Sequence, residues 1–110
     1  MLAQEANVRW EYCVAESQLA NLNADGFYEG KVRICHATAQ GCREELVTIA
    51  DQIRYERFDQ YMAAAVDQRA VAKALALLGK EGWELVSVEL RSRDDFRGQS
   101  RLLYFKRRAR

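Results

Sequence analysis

The apolar positions of this chain change period twice. Over residues 8–14 they alternate: Val8, Trp10, Tyr12 and Val14 share one face, and Arg9, Glu11 and Cys13 share the other. Over residues 28–38 they alternate again, with Val32, Ile34 and His36 on one face and Lys31, Arg33 and Cys35 on the opposite one. Period two in β-branched and aromatic residues marks a half-buried strand. Asn21-Leu22-Asn23-Ala24-Asp25-Gly26 separates the two runs as a turn-rich loop. Ala39-Gln40-Gly41 ends the second run and predicts a short hairpin loop, with Thr38 facing Cys42 across it. The next stretch fits both periods. Val47, Ile49, Ile53 and Tyr55 have strand spacing if Asp51 is tolerated, and Leu46, Ile49, Ala50 and Ile53 have helix spacing. A strand is expected over residues 43–50, because a strand entering a hairpin usually returns as one.

The period then lengthens. Residues 58–81 are rich in alanine and other good helix formers. Val71, Ala74, Leu75 and Leu78 fall at i, i+3, i+4 and i+7, one apolar stripe, with Lys73 and Lys80 away from it. Asp67 is expected to cap a main helix starting near Gln68, with residues 58–66 forming a preceding helical turn or two, either separate from it or continuous with it. The helix stop is written in Leu78-Gly79-Lys80-Glu81-Gly82-Trp83. With Gly82 just past the helix in the left-handed conformation, Leu78 and Trp83 make the apolar contact of a Schellman ending. A Cβ at Gly82 would then cost ~1 kcal/mol or more. Gly79, inside the last turn, reads as a site where the Trp83 ring or a strand comes close. Period two resumes over residues 83–90, with Val86, Val88 and Leu90 on one face. A polar loop with Gly98 follows over residues 91–100. Residues 102–106 form a last strand, apolar on both faces, Leu102 and Tyr104 on one, Leu103 and Phe105 on the other. The order is β-β-β-α-β-β. It predicts one α+β domain over residues 1–110, an antiparallel sheet of four to five strands with one main helix packed on one face.

Three segments together resemble a small bacterial domain-of-unknown-function family, the one numbered 4177. They are Trp10-Glu11-Tyr12, the run from Leu78 through Gly79-Lys80-Glu81-Gly82-Trp83-Glu84-Leu85-Val86-Ser87 to Val88, and Tyr104-Phe105-Lys106-Arg107. Residues 20–66 look like a longer, variable insertion. The resemblance implies a compact antiparallel sheet with one helix on it. It implies structural roles for Trp10, Trp83 and Gly82, and it carries over no catalytic residue.

Charge adds an asymmetry. Residues 1–66 hold six Lys/Arg and ten Asp/Glu, net −4; residues 67–110 hold eleven and six, net +5. After Asp95 no acid remains, while Arg97, Arg101, Lys106, Arg107, Arg108 and Arg110 follow. A solvated basic end is the plain reading of that run, and a docking surface for an anion or an acidic patch is the sharper one. No apolar run reaches the ~18 residues of a membrane span. Residues 1–7 lack the layout of a signal peptide. The three cysteines are an odd number with no CxxC, so Cys13, Cys35 and Cys42 read as free thiols in a cytoplasmic protein.

Chemistry is sparse. A single histidine excludes His-pair metal sites and HExxH helices. No phosphate-cradling loop or nucleophile elbow is present, and no cofactor signature. Cys35 and His36 are adjacent, and neighbours on a strand face opposite ways. Cys35, His36 and Cys42, with Cys13, do not converge as zinc ligands in the expected register. The pairs Glu44/Glu45 and Asp94/Asp95 read as solvated charge. What remains is an apolar surplus: one helix covers one sheet face, and the last strand is apolar on two. The expectation is a small non-enzymatic interaction or assembly module, without a cofactor, homo-oligomeric through its sheet. Its candidate surface is Trp10, Tyr12, Arg101, Leu103, Phe105, Lys106 and Arg107. The alternative is a weak single-stranded nucleic-acid-binding module that stacks bases on the sheet aromatics beside the basic last strand.

Overall fold

Among the described residues one long helix organises the fold, and its two ends are fixed by different chemistry. The computed structural model describes residues 9–18, 20–92 and 99–109. In it the helix α1, Gln60–Lys80, starts at Asp59, whose side chain accepts from the Tyr61 and Met62 backbone N–H groups. Asp59 is thus the cap, and Asp67, expected to cap, lies one-third of the way along the helix and is buried. Residues 60–66 continue unbroken into the rest of the helix because Asp59 already satisfies the first orphan donors. The Tyr28 hydroxyl donates to the Asp59 carbonyl at 3.1 Å and anchors this end to the sheet. At the other end Trp83 N–H donates to the Leu78 carbonyl at 3.0 Å, and Gly82 N–H to the Gly79 carbonyl at 3.1 Å. Gly82 has φ +89°. This is the expected Schellman ending, with Leu78 and Trp83 in one core cluster. Gly79 differs from expectation: nothing lies within 4 Å of where its Cβ would be.

Among the described residues six strands form one antiparallel sheet: β1 Trp10–Ser17, β2 Asn21–Leu22, β3 Tyr28–Thr38, β4 Gly41–Ala50, β5 Glu84–Ser92 and β6 Gln99–Arg108. The α+β architecture therefore stands, with the short β2 added inside the turn-rich loop. Across the sheet the order is β4, β3, then β1 and β2 side by side, β6 and β5. Residues 43–50 are strand, within β4. The expected loop over residues 91–100 is shorter at both ends, since β5 runs to Ser92 and β6 starts at Gln99; Gly98 and the Asp94/Asp95 pair lie outside the described residues, as does Val8. Of the basic run, Arg101, Lys106 and Arg107 sit within β6, flanked by β1 and β5, and Arg108 ends that strand exposed; Arg97 and Arg110 lie outside the described residues.

The helix covers β3 and β4. The face beneath it carries Cys13, Ala15 and Ser17 of β1, Val32, Ile34 and His36 of β3, Val47 of β4, and Leu103 and Phe105 of β6. Many of these are small, as are Ala63, Ala70 and Ala74 on the helix, so the two layers approach closely. A Cβ on Gly30 would lie 2.9 Å from the Ala70 Cβ. The β1 face is thereby the reverse of the aromatic one: Cys13 and Ala15 fit under the layer, and Trp10, Tyr12 and Val14 point to the open side. Residues opposite each other in an antiparallel pair share a face, so Tyr12 pairs with Lys106, and Val14 with Tyr104, on that open side.

The β3–β4 hairpin corrects the cysteines. Its loop is Ala39-Gln40, one residue shorter than expected, and Thr38 pairs with Gly41 rather than Cys42. A one-residue change of register moves every side chain to the other face. Cys42 now lies opposite Ala37, on the same face as Cys35, and the two form a disulfide with Cα atoms 5.5 Å apart. Only Cys13 is free. Disulfides belong to oxidising compartments, so the argument from thiols to cytoplasm does not stand. No helix among the described residues is long and apolar enough to cross a membrane.

Candidate interaction surface

The seven candidate residues divide among three environments. Leu103 and Phe105 are buried in the main core, opposite Ala15 and Cys13, and offer nothing to a partner. The sheet places them on the covered face because the register pairs them with the small residues of β1. Arg101 and Arg107 share that face and are structural. The Arg107 guanidinium donates to Glu11 Oε1 at 3.1 Å and to the Glu81 carbonyl at 2.9 Å, and stacks 4.3 Å from the Trp83 ring. It ties the helix end to β1 and β6. Arg101 stands opposite Ser17 and beside the buried Asp67, whose carboxyl is raised by desolvation and partly held down by Arg101. Trp10, Tyr12 and Lys106 come together on the open face, with the Lys106 ammonium 4.5 Å from the Trp10 ring centroid.

A second apolar surface escaped the sequence reading. Strand β5 ends the sheet, and among the described residues no strand pairs with its outer edge. Its apolar side chains are Leu85, Val86, Val88 and Leu90, with exposures of 43%, 56%, 52% and 60%. A bulge at Val86 shifts the strand, so Leu85, Val88 and Leu90 stand opposite Phe105, Leu103 and Arg101 on the helix side. Glu84, Ser87, Glu89 and Arg91 stand opposite Lys106, Tyr104, Leu102 and Ser100 on the open side. The alternation of Val88 and Leu90 was visible in the sequence. That the helix lies over β3 and β4, leaving β5 uncovered, was not. On the open side the Tyr104 hydroxyl donates to Glu89 at 2.8 Å and Arg91 Nε donates to Glu89 at 3.2 Å. These bonds hold the Glu89 carboxyl below its usual range, the Tyr104 bond first.

The polar groups assemble no reacting centre among the described residues. Cys13 faces His36 across the β1–β3 pair. Burial pushes the Cys13 thiol up to about 11, whereas a nucleophilic cysteine needs a depressed value and access. The His36 ring packs 5.6 Å from Trp83, and its Nε2 lies 3.8 Å from Glu45. No group of three His, Cys, Asp or Glu side chains is placed to hold a metal among the described residues. Glu44 and Glu45 are exposed and point to opposite faces of β4. A hollow of about 130 Å³ lies between Glu16, Glu29, Lys31, Arg33 and Leu46, and a wider surface depression of about 590 Å³ lies between Leu22, Asn23, Ala24, Arg54, Tyr55 and Glu56; neither lining gathers a histidine or a cysteine. No protein-family model matches the chain, and no curated protein matches it.

Proposed function

We propose that the chain is a non-enzymatic assembly module that associates with itself through its sheet. The observation that carries this reading is β5, where four apolar side chains, each between 43% and 60% exposed, line a strand with a free edge. An apolar strand with an unpaired row of N–H and C=O groups is a template for pairing, and soluble proteins blunt or cover such edges. The contact lies at β5 rather than at the first and last strands, because β1 and β6 are interior to the sheet and Leu103 and Phe105 are in the core. Sedimentation equilibrium at micromolar concentration tests the reading. The expected mass exceeds one chain; a mass of 12.7 kDa that does not rise with concentration would rule it out.

A specific observation favours a second reading. Trp10 and Tyr12 are 41% and 54% exposed on the open face beside Lys106. Exposed sheet aromatics next to cations are what single-stranded nucleic-acid binders use. Glu16, Glu84 and Glu89 share that face and oppose phosphate. The expected outcome of titrating a single-stranded oligonucleotide is weak binding that vanishes with moderate salt. A salt-resistant, sub-micromolar complex would put this reading first.

A further inference from the structure

The two edges of the sheet are built differently. On β4 the exposed side chains include Arg43, Glu44 and Glu45, and the Thr48 carbonyl accepts from Lys73 of the helix at 3.1 Å. Charge and a covering side chain are the usual devices for blunting an edge. Among the described residues β5 carries neither along Leu85–Val88, and only the bulge at Val86 interrupts its edge. An edge of one kind meeting the other kind would repeat head to tail and grow an open chain of sheets, whereas β5 meeting β5 closes after two copies.

The side chains of β5 select a register for such a meeting. In an antiparallel pair about a two-fold axis perpendicular to the sheet, opposite residues share a face. With Val86 left out as the bulge residue, the axis must then pass through a residue. An axis through Ser87 sets Glu84 against the partner's Glu89, and an axis through Glu89 sets that carboxylate against its own copy. Both oppose like charges, which destabilises a strand pair. An axis through Leu90 runs Leu85 past the end of the partner's strand. An axis through Val88 matches every position: Val88 meets its own copy, Ser87 meets Glu89, Leu85 meets Leu90, and Glu84 meets Arg91. Each pair except Val88 with its copy occurs twice. The apolar pairs fall on the helix side and the ion pairs on the open side, as the intrachain register already sorts them.

Resting on the self-association proposed above, we infer that β5 is the seam of a two-fold homodimer. The two β5 strands pair antiparallel about Val88 and join both sheets into one. The partner is a second copy of this chain, recognised by its own apolar and charged pattern along Glu84–Arg91.

The test is the dimer dissociation constant by sedimentation, with thermal melts to verify that each variant is folded. Val88 is half-exposed, so Val88→Lys leaves the fold intact and is expected to yield monomer throughout the accessible concentration range. Arg91→Glu sets carboxylates against each other twice and is expected to weaken the dimer at least tenfold. Adding Glu84→Arg to it restores opposite charges between subunits without restoring the contact between Arg91 and Glu89 within one chain. The double variant is therefore expected to return to within about threefold of the unmodified protein. If the protein associates and Val88→Lys does not disrupt it, this seam is wrong and the broader proposal stands. If the double variant stays as weak as Arg91→Glu, the register about Val88 is wrong. If the unmodified chain remains at 12.7 kDa, both proposals fall.

Discussion

Three glycines within one fold have opposite reasons to be there. Gly82 holds φ +89°, which a side chain resists, so Gly82→Ala is expected to cost about 1 kcal/mol. Gly30 has an ordinary backbone and no room: a Cβ would meet the Ala70 Cβ at 2.9 Å and the Val66 carbonyl at 3.0 Å. Overpacking of this kind costs ~1–3 kcal/mol, so Gly30→Ala should be at least as damaging. Gly79 has neither constraint, and Gly79→Ala should stabilise by ~0.5–1 kcal/mol through helix propensity alone. Urea midpoints of the three variants check the signs. Asp67 adds a pH dependence. Desolvation raises its carboxyl, with Arg101 opposing, so the folded chain binds this proton more tightly than the unfolded chain does. Its contribution is then most favourable below the ordinary aspartate range and is lost as pH rises through the folded-state value. Asp67→Asn should consequently gain on the unmodified protein as pH rises from 4 to 8. Urea melts across that range test the sign; a variant that loses ground to the unmodified protein as pH rises would refute it.

At the scale of elements, the sequence carried type and order better than facing. The Gly82 stop was legible because it is set within one short run, Leu78 to Trp83, and the backbone that run requires. The β3 face of Val32, Ile34 and His36 was legible because one strand's alternation suffices to show it. Which face of β1 is covered was not legible, because alternation separates Trp10, Tyr12 and Val14 from Cys13 without saying which set lies beneath the helix. Register decides it: Cys13 and Ala15 stand opposite His36 and Ile34 of β3, the strand on which the helix rests. The helix start was misplaced because aspartate is an equally good cap at 59 and 67 on paper, whereas in the fold Asp59 accepts from the Tyr61 and Met62 N–H groups and is anchored by the Tyr28 hydroxyl. The disulfide hung on a single residue of loop length. It gives a direct prediction: denatured without reductant, the chain should show one reactive thiol, Cys13, and after reduction three. In the folded state Cys13 should stay unmodified by alkylating reagents, being buried with its thiol pushed up to about 11. Reduction should lower stability by on the order of 2 kcal/mol, as expected for a short closed loop. Three thiols before reduction would show that Cys35 and Cys42 are unbonded.

At the scale of the whole molecule, one helix serves a sheet wider than itself, and the candidate surface follows from that mismatch. The helix rests on β3 and β4. Trp83 and Arg107 extend the cover toward β6, and beyond it β5 has nothing above it among the described residues. A residue list drawn from the sequence could name apolar strands but not which of them would be last in the sheet. If β5 pairs with its own copy, folding and association are linked. Anything that binds the native chain and not the unfolded one raises apparent stability by mass action, and here the ligand is the protein itself. The urea midpoint should accordingly rise with protein concentration, each tenfold increase adding up to ~1.4 kcal/mol of apparent stability per mole of dimer. In Val88→Lys the midpoint should be independent of concentration and equal to that of the unmodified protein at high dilution, because an exposed lysine on a monomer's edge strand costs little. A midpoint in the unmodified protein that does not move over a hundredfold range of concentration, spanning micromolar, would mean that the free edge of β5 stays free.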